Sequence, residues 1–161
     1  RSGALIPQGA RARMQTLQWL TWQVSGLGPF MGQAAHFLRY APPGPHEYST
    51  TRYVNESVRL LHVLDHRLSQ SSYLAGEEFS IADIACFPVV HFFGQYFEFD
   101  FMSLESVKRW YELVLNRPAV QAALSGEEME PGRYYDVKPK LTEQEWSNVF
   151  GERMLKAVSD K

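Results

Sequence analysis

Apolar positions recur every three or four residues along most of this chain, and no segment alternates with the period of two that a half-buried strand requires. Between Ala10 and Val24 the residues Arg11, Met14, Leu17, Leu20, Trp22 and Val24 mark a first helix, with Trp19 and Trp22 on one face. Ser25-Gly26-Leu27-Gly28-Pro29 then interrupts the pattern. Proline deletes an N–H and disfavours helix at the residue before it, so a kink or break is expected here. Helix is expected again from Met31 to about Tyr40, carrying Gln33, His36 and Phe37. After the loop Ala41-Pro42-Pro43-Gly44-Pro45, a long helix from about Tyr48 to Gln70 shows the stripe Val54, Val58, Leu61, Leu64, Leu68.

The stretch Phe79-Ser80-Ile81-Ala82-Asp83-Ile84 predicts where the next helix starts. Ser80 and Asp83 have the spacing of a capping box, in which each satisfies a backbone N–H of the other. Phe79 and Ile84 are spaced for a hydrophobic staple across the same turn. The residues from Ile84 to Phe93 are apolar nearly all round, which predicts a helix enclosed by others. An aromatic-rich link follows to Met102, then a helix capped by Ser103 and bearing Val107, Trp110, Tyr111, Val114 and Leu115. Pro118 suits the first turn of a short helix reaching Leu124. Beyond Ser125 the chain is polar until Thr142-Glu143-Gln144-Glu145, a second capping box that opens a short helix with Trp146 and Phe150. The fold class is all-α, a helical bundle. The pattern divides into a connector over 1–9, a helical domain over 10–125 and a C-terminal extension over 126–161.

The 161 residues suffice for one domain with a sizeable core, and 45% of them are hydrophobic. A net charge of −2 supplies no basic field for nucleic acid or an anionic membrane surface, and neither is expected as a partner. The single cysteine, Cys86, leaves no internal disulfide framework and suits a reducing, cytoplasmic compartment. Neither a signal peptide nor an apolar run of membrane-spanning length is evident. With Arg1 first and a connector after it, the chain is expected to be part of something longer.

Few residues carry chemistry on their own. His62 and His66 lie at i,i+4, but a pair without a further ligand is incomplete and no metal is expected. Cys86 sits in the apolar helix with no cation beside it in sequence, the setting of a small hydrophobe and not of a nucleophile. The stretch holds no lysine or arginine between Phe87 and Phe101, so core packing or cover for a neighbouring domain is expected over base stacking. No catalytic residue is identified.

Three devices in order, Tyr73-Leu74-Ala75-Gly76, Phe79-Ser80-Ile81-Ala82-Asp83 and Arg117-Pro118-Ala119-Val120, resemble the C-terminal helical domain of glutathione transferases. Gln18-Trp19-Leu20-Thr21-Trp22-Gln23, Gly26-Leu27-Gly28-Pro29, Gly32-Gln33 and His36-Phe37 are similar to the bacterial nu-class enzymes and the related yeast nitrogen-regulator prion protein. The resemblance implies a homodimeric two-domain parent. Its thioredoxin-like half, which this sequence lacks, would hold and activate glutathione, and the second substrate would be a small electrophile, disulfide or peroxide.

It also implies roles for residues of this half. Arg52, beside Tyr53, would reach across the dimer to a carboxylate of glutathione held by the partner, a task suited to a planar, permanently charged guanidinium. A solvated surface arginine is the alternative. Gln33, His36, Phe37 and Tyr40 would line the mouth of the substrate pocket, or else pack and solvate as ordinary helix residues. Two functions follow: the helical half of a glutathione-dependent transferase or reductase of disulfides or organic peroxides, inactive alone, and a non-catalytic interaction or regulatory module of the same fold.

Overall fold

The computed structural model describes residues 5–94, 99–125 and 141–159. The first helix, α1 (Ala10–Trp22), passes without a break through a π-helical turn at Gln23–Leu27 into α2 (Gly28–Arg39). The expected interruption is therefore a change of helical pitch. Gly28 N–H donates to the carbonyl of Gln23, the longer i→i−5 bond, and Pro29 falls in the first turn of α2, where its missing N–H costs little.

The long helix α3 (Glu47–Leu68) follows the Pro-rich loop and packs along α2. Its innermost line is Ser57, Leu60, Leu61, Leu64 and Leu68, while Val54 and Val58 of the expected stripe sit half-buried beside it. Ser57 is tolerated there because its hydroxyl donates to the carbonyl of Tyr53 at 2.8 Å. Between α3 and the next helix, Tyr73 and Gly76 exchange backbone hydrogen bonds of 2.8 and 3.2 Å across a tight turn. Gly76 holds φ +138° there, a conformation open to glycine.

Helix α4 (Ile81–Phe93) starts at the expected capping box. The Asp83 carboxylate does more than close it. One oxygen accepts the Ser80 N–H at 3.0 Å and its hydroxyl at 3.1 Å, and the other accepts Leu74 N–H and the Trp110 indole N–H, each at 2.9 Å. Asp83 is fully buried, so one side chain ties the α3–α4 loop, the start of α4 and the fifth helix together. The expectation that α4 is enclosed all round is corrected. Ala82, Cys86, Phe87 and Val90 are buried, but Ile84 and Pro88 are exposed along one side, because no element among the described residues covers that strip.

A 3-10 turn at Phe101–Ser103 leads into α5 (Glu105–Leu115). Ser103 does not cap this helix; its hydroxyl donates to the carbonyl of Asp100 at 2.7 Å within the turn. The cap comes from α3, where Asp65 Oδ1 accepts the N–H groups of Ser106 and Val107 at 2.9 and 3.0 Å. Arg109 of α5 returns the favour by donating to the carbonyls of Leu68 and Ser71 at the end of α3. The C-terminal end of α3 and the N-terminal end of α5 are thus joined by complementary charges. α6 (Pro118–Leu124) follows, with Pro118 in its first turn as expected. The last two helices, α7 (Glu143–Val149) and α8 (Glu152–Ser159), form a hairpin, with the expected capping box at Thr142 and Glu145. Tyr96 and Phe97 of the aromatic link lie outside the described residues, as does 126–140 of the extension. Phe101 is buried in the core as expected.

Candidate functional site

Three of the four expected pocket residues lie together at the C-terminal end of α2. His36, Phe37 and Tyr40 lie within one helical turn, and the Pro-rich loop returns the chain so that α3 begins beside them. Phe37 stacks on Tyr53 of α3 with ring centroids 5.6 Å apart, and Phe30, two turns earlier, meets the same tyrosine at 6.0 Å. His46, from the loop, packs on Phe37 at 5.7 Å while its Nε2–H donates to the carbonyl of Pro42 at 2.9 Å. Between loop and helix lies an open pocket of about 490 Å³ walled by Phe37, Pro42, His46, Thr50 and Thr51. Gln33 is exposed one turn earlier on α2 and lines no part of this pocket.

His36 and Tyr40 face another neighbour. Their rings stack 6.3 Å apart, and Phe150, just past α7, lies 4.7 Å from His36 and 5.3 Å from Tyr40. The Trp146 indole N–H donates to the carbonyl of Tyr40 at 2.9 Å. Burial, reinforced by the nearby His46, lowers the pKa of His36 below the ordinary histidine value, so the ring favours its neutral form.

Arg52 stands at the start of α3 with half its side chain exposed. Glu56 is the nearest carboxylate, but Arg59 engages it in a bidentate pair at 2.9 and 2.7 Å, leaving Arg52 at 3.8 Å. The Arg59 bonds hold the Glu56 carboxyl below its usual range. The Arg52 guanidinium lies 5.7 Å from the Phe30 ring, on the aromatic cluster that carries Phe37 and Tyr53.

The other candidates play structural parts. The His62 ring packs against Phe99 at 5.7 Å, and His66 Nε2 meets the Gln70 amide at 3.2 Å. Among the described residues no group of three His, Cys, Asp or Glu side chains is placed to hold a metal ion. Burial, with the Asp83 carboxylate adding to it, pushes the Cys86 thiol far up from its ordinary value, so it is no nucleophile. No helix among the described residues is long and apolar enough to cross a membrane. A second, apolar trough of about 480 Å³ runs along the bare strip of α4, lined by Leu5, Phe79, Ile84, Pro88, Arg117 and Val120 among others. Arg117 lies over the Phe79 ring at 3.7 Å.

Residues 29–118 match the pattern of the glutathione S-transferase C-terminal domain. The chain belongs to that family. Among its relatives the helical domain is 44% identical over 124 residues to the disulfide-bond oxidoreductase YfcG of Escherichia coli, a match covering 77% of this chain and 57% of that protein. Disulfide-bond oxidoreductase YghU of the same organism is 40% identical over 126 residues, covering 74% of this chain and 43% of that one. Among solved structures, a glutathione transferase from Pseudomonas putida, with one glutathione disulfide bound per subunit, superposes with a TM-score of 0.69 at 40% identity, over 78% of this chain and 56% of that one. One from Burkholderia graminis, with two glutathione molecules per subunit, gives 0.67 at 36% identity, over 80% and 56%. The chain therefore spans little more than half the length of these glutathione transferases.

His46, Trp146 and Phe150 pack against the candidate residues without having been expected there. Trp146 meets Tyr40 across 106 positions, and no local period links an extension to the end of α2. His46 was findable: it is a ring-bearing residue placed by Pro42-Pro43-Gly44-Pro45 next to the start of α3.

Proposed function

We propose that this domain is the helical half of a cytoplasmic, homodimeric, nu-class glutathione transferase that reduces disulfides or organic hydroperoxides. The catalytic, glutathione-activating half would be a thioredoxin-like domain outside this chain. The observation that carries the reading is the 44% identity to a disulfide-bond oxidoreductase across most of the described fold. The apolar trough beside Leu5 suits the packing face such a second domain needs.

Glutathione, when bound, supplies the thiolate that attacks a disulfide sulfur or a peroxide oxygen. The residues of this domain bind and orient. Arg52 fits a carboxylate because Arg59 already occupies Glu56 and leaves its guanidinium half-exposed. Reaching across the dimer axis, it would clasp a glutathione carboxylate held by the partner, with Phe30 beneath keeping the side chain aligned. Phe37 with the loop around His46 would form the wall for the second substrate, with His36, Tyr40 and the exposed Gln33 beside it on α2. A neutral His36 places no cation beside the thiolate's target.

The test is calorimetric titration of the intact dimer with glutathione disulfide. Arg52→Ala should weaken binding by about 1.5–3 kcal/mol, the worth of a hydrogen bond to a charged group. Arg52→Lys should restore only part, since an ammonium lacks the planar fork. Unchanged affinity in the alanine variant would return Arg52 to the solvated helix surface.

A further inference from the structure

We propose that Phe150, carried by the C-terminal hairpin, is a specificity-determining residue that fills the aromatic face of His36 and Tyr40 and so excludes aryl-bearing second substrates from the pocket. This rests on the reading that the end of α2 lines the substrate pocket. The end of α2 has two unlike faces. Around Phe37, Pro42 and Thr50 it borders an open pocket, while the rings of His36 and Tyr40, on which a substrate ring would stack, do not line that opening and are covered by a ring of the chain itself.

Phe150 meets His36 edge-to-face, at 4.7 Å and 68°, and Tyr40 at 5.3 Å and 44°. These separations fall in the attractive range for aromatic pairs, so the phenyl group occupies the box as a benzyl ligand would. Two features aim it there. The Trp146 indole anchors the last turn of α7 on the Tyr40 carbonyl at 2.9 Å. Gly151 follows at once, and a Cβ on it would lie 2.8 Å from the Ser147 Cα, so only a residue without a side chain lets the hairpin turn this tightly behind the phenyl ring.

α7 buries no residue, and it meets the end of α2 through this bond and these rings. Elements held so lightly are cheap to alter without loss of the core, which suits a part that sets selectivity. The discrimination works by occupancy: an aryl group must displace Phe150, whereas a slender alkyl group uses the open side.

The test compares S-methylglutathione with S-benzylglutathione, titrated by calorimetry into the intact dimeric protein. Phe150→Ala should raise the affinity for the benzyl relative to the methyl conjugate by about ten-fold, since one aromatic contact and one tenfold step are of similar size. Glutathione itself should bind as before. Phe150→Leu, which keeps an apolar plug and guards against misfolding, should shift the ratio in the same direction by less. An unchanged ratio in a folded variant that still binds glutathione overturns the assignment of Phe150. Failure of the wild-type protein to bind glutathione at all overturns the functional reading beneath it instead.

Discussion

Replacing Asp83 by alanine should be the most destabilising single change in this domain. Four hydrogen bonds end on that carboxylate, from Leu74 N–H, Ser80 N–H, Ser80 Oγ–H and Trp110 Nε1–H. The Ser80 hydroxyl can rotate to another acceptor, but the other three donors are fixed, and Leu74, Ser80 and Trp110 are all buried. A buried donor left unpaired costs about 1–3 kcal/mol. The space left by the carboxylate is polar and able to admit a water, which would satisfy one of the three. With two donors left unpaired the expected loss is about 2–6 kcal/mol, a large share of the roughly 5–15 kcal/mol that holds an ordinary domain together. Asp83→Asn should cost less, because its oxygen can still serve Leu74 and Trp110 while its amide opposes the Ser80 N–H. Trp110→Phe removes a donor together with its bond and should cost about 1–2 kcal/mol. Urea unfolding followed by far-ultraviolet circular dichroism measures all three, and the Asp83→Ala/Trp110→Phe double variant should show clear non-additivity. A loss below about 1.5 kcal/mol for Asp83→Ala, little more than a lone cap is worth, would refute the claim that this carboxylate is a tertiary hub.

Asp65→Ala should cost about 1–2 kcal/mol in the same unfolding assay, the worth of a helix cap, and Ser103→Ala should cost much less. His36 and His91 both titrate below the ordinary value of 6.5 because burial disfavours their charged forms. Between those lowered values and 6.5 the unfolded chain binds more protons than the folded one, so stability should rise with pH up to about 6.5 and level off above. A His36→Gln/His91→Gln variant should flatten that slope in a pH series of thermal melts.

Local rules made most of the helices legible, and non-local ones hid what joins them. The capping boxes at Ser80 and Thr142 and the Pro118 start are complete within four residues of sequence, so spacing alone reveals them. The cap of α5 could not be found that way. Ser103 stands where a local cap belongs, yet the acceptor used is Asp65, 41 positions upstream of Ser106. Of the kink or break expected at Pro29 the break is absent for a different reason: a wider turn absorbs the proline, an option the helix period does not encode. In the candidate site, Phe37 was legible from its place after the Gly-Pro step, whereas nothing local marks the covering of His36 and Tyr40 by an extension. Asp83 was found as a cap, but its bonds to Leu74 and Trp110 were not, and the expected stability loss grows accordingly.

The two ends of α3 are built differently, and the difference explains where function can reside. At its C-terminal end Asp65 caps α5 and Arg109 caps α3, so each helix terminus is satisfied by a fixed side chain of the other. About 20 Å away, at 1.5 Å per residue over the thirteen steps back to Arg52, the N-terminal end is held by stacked rings. Phe30, Phe37 and Tyr53 fix the angle between α2 and α3 without spending a charged group on it. The Arg52 guanidinium there keeps half its side chain exposed, because Glu56, 3.8 Å away, is held more closely by Arg59. Aromatic packing also has no single obligatory partner, so rings from a neighbouring segment can be added or exchanged at modest cost. The locked end secures the bundle. The stacked end brings a cation, an open pocket and a cluster of rings together where α2, the Pro-rich loop and α3 meet, the setting that the proposed binding site needs.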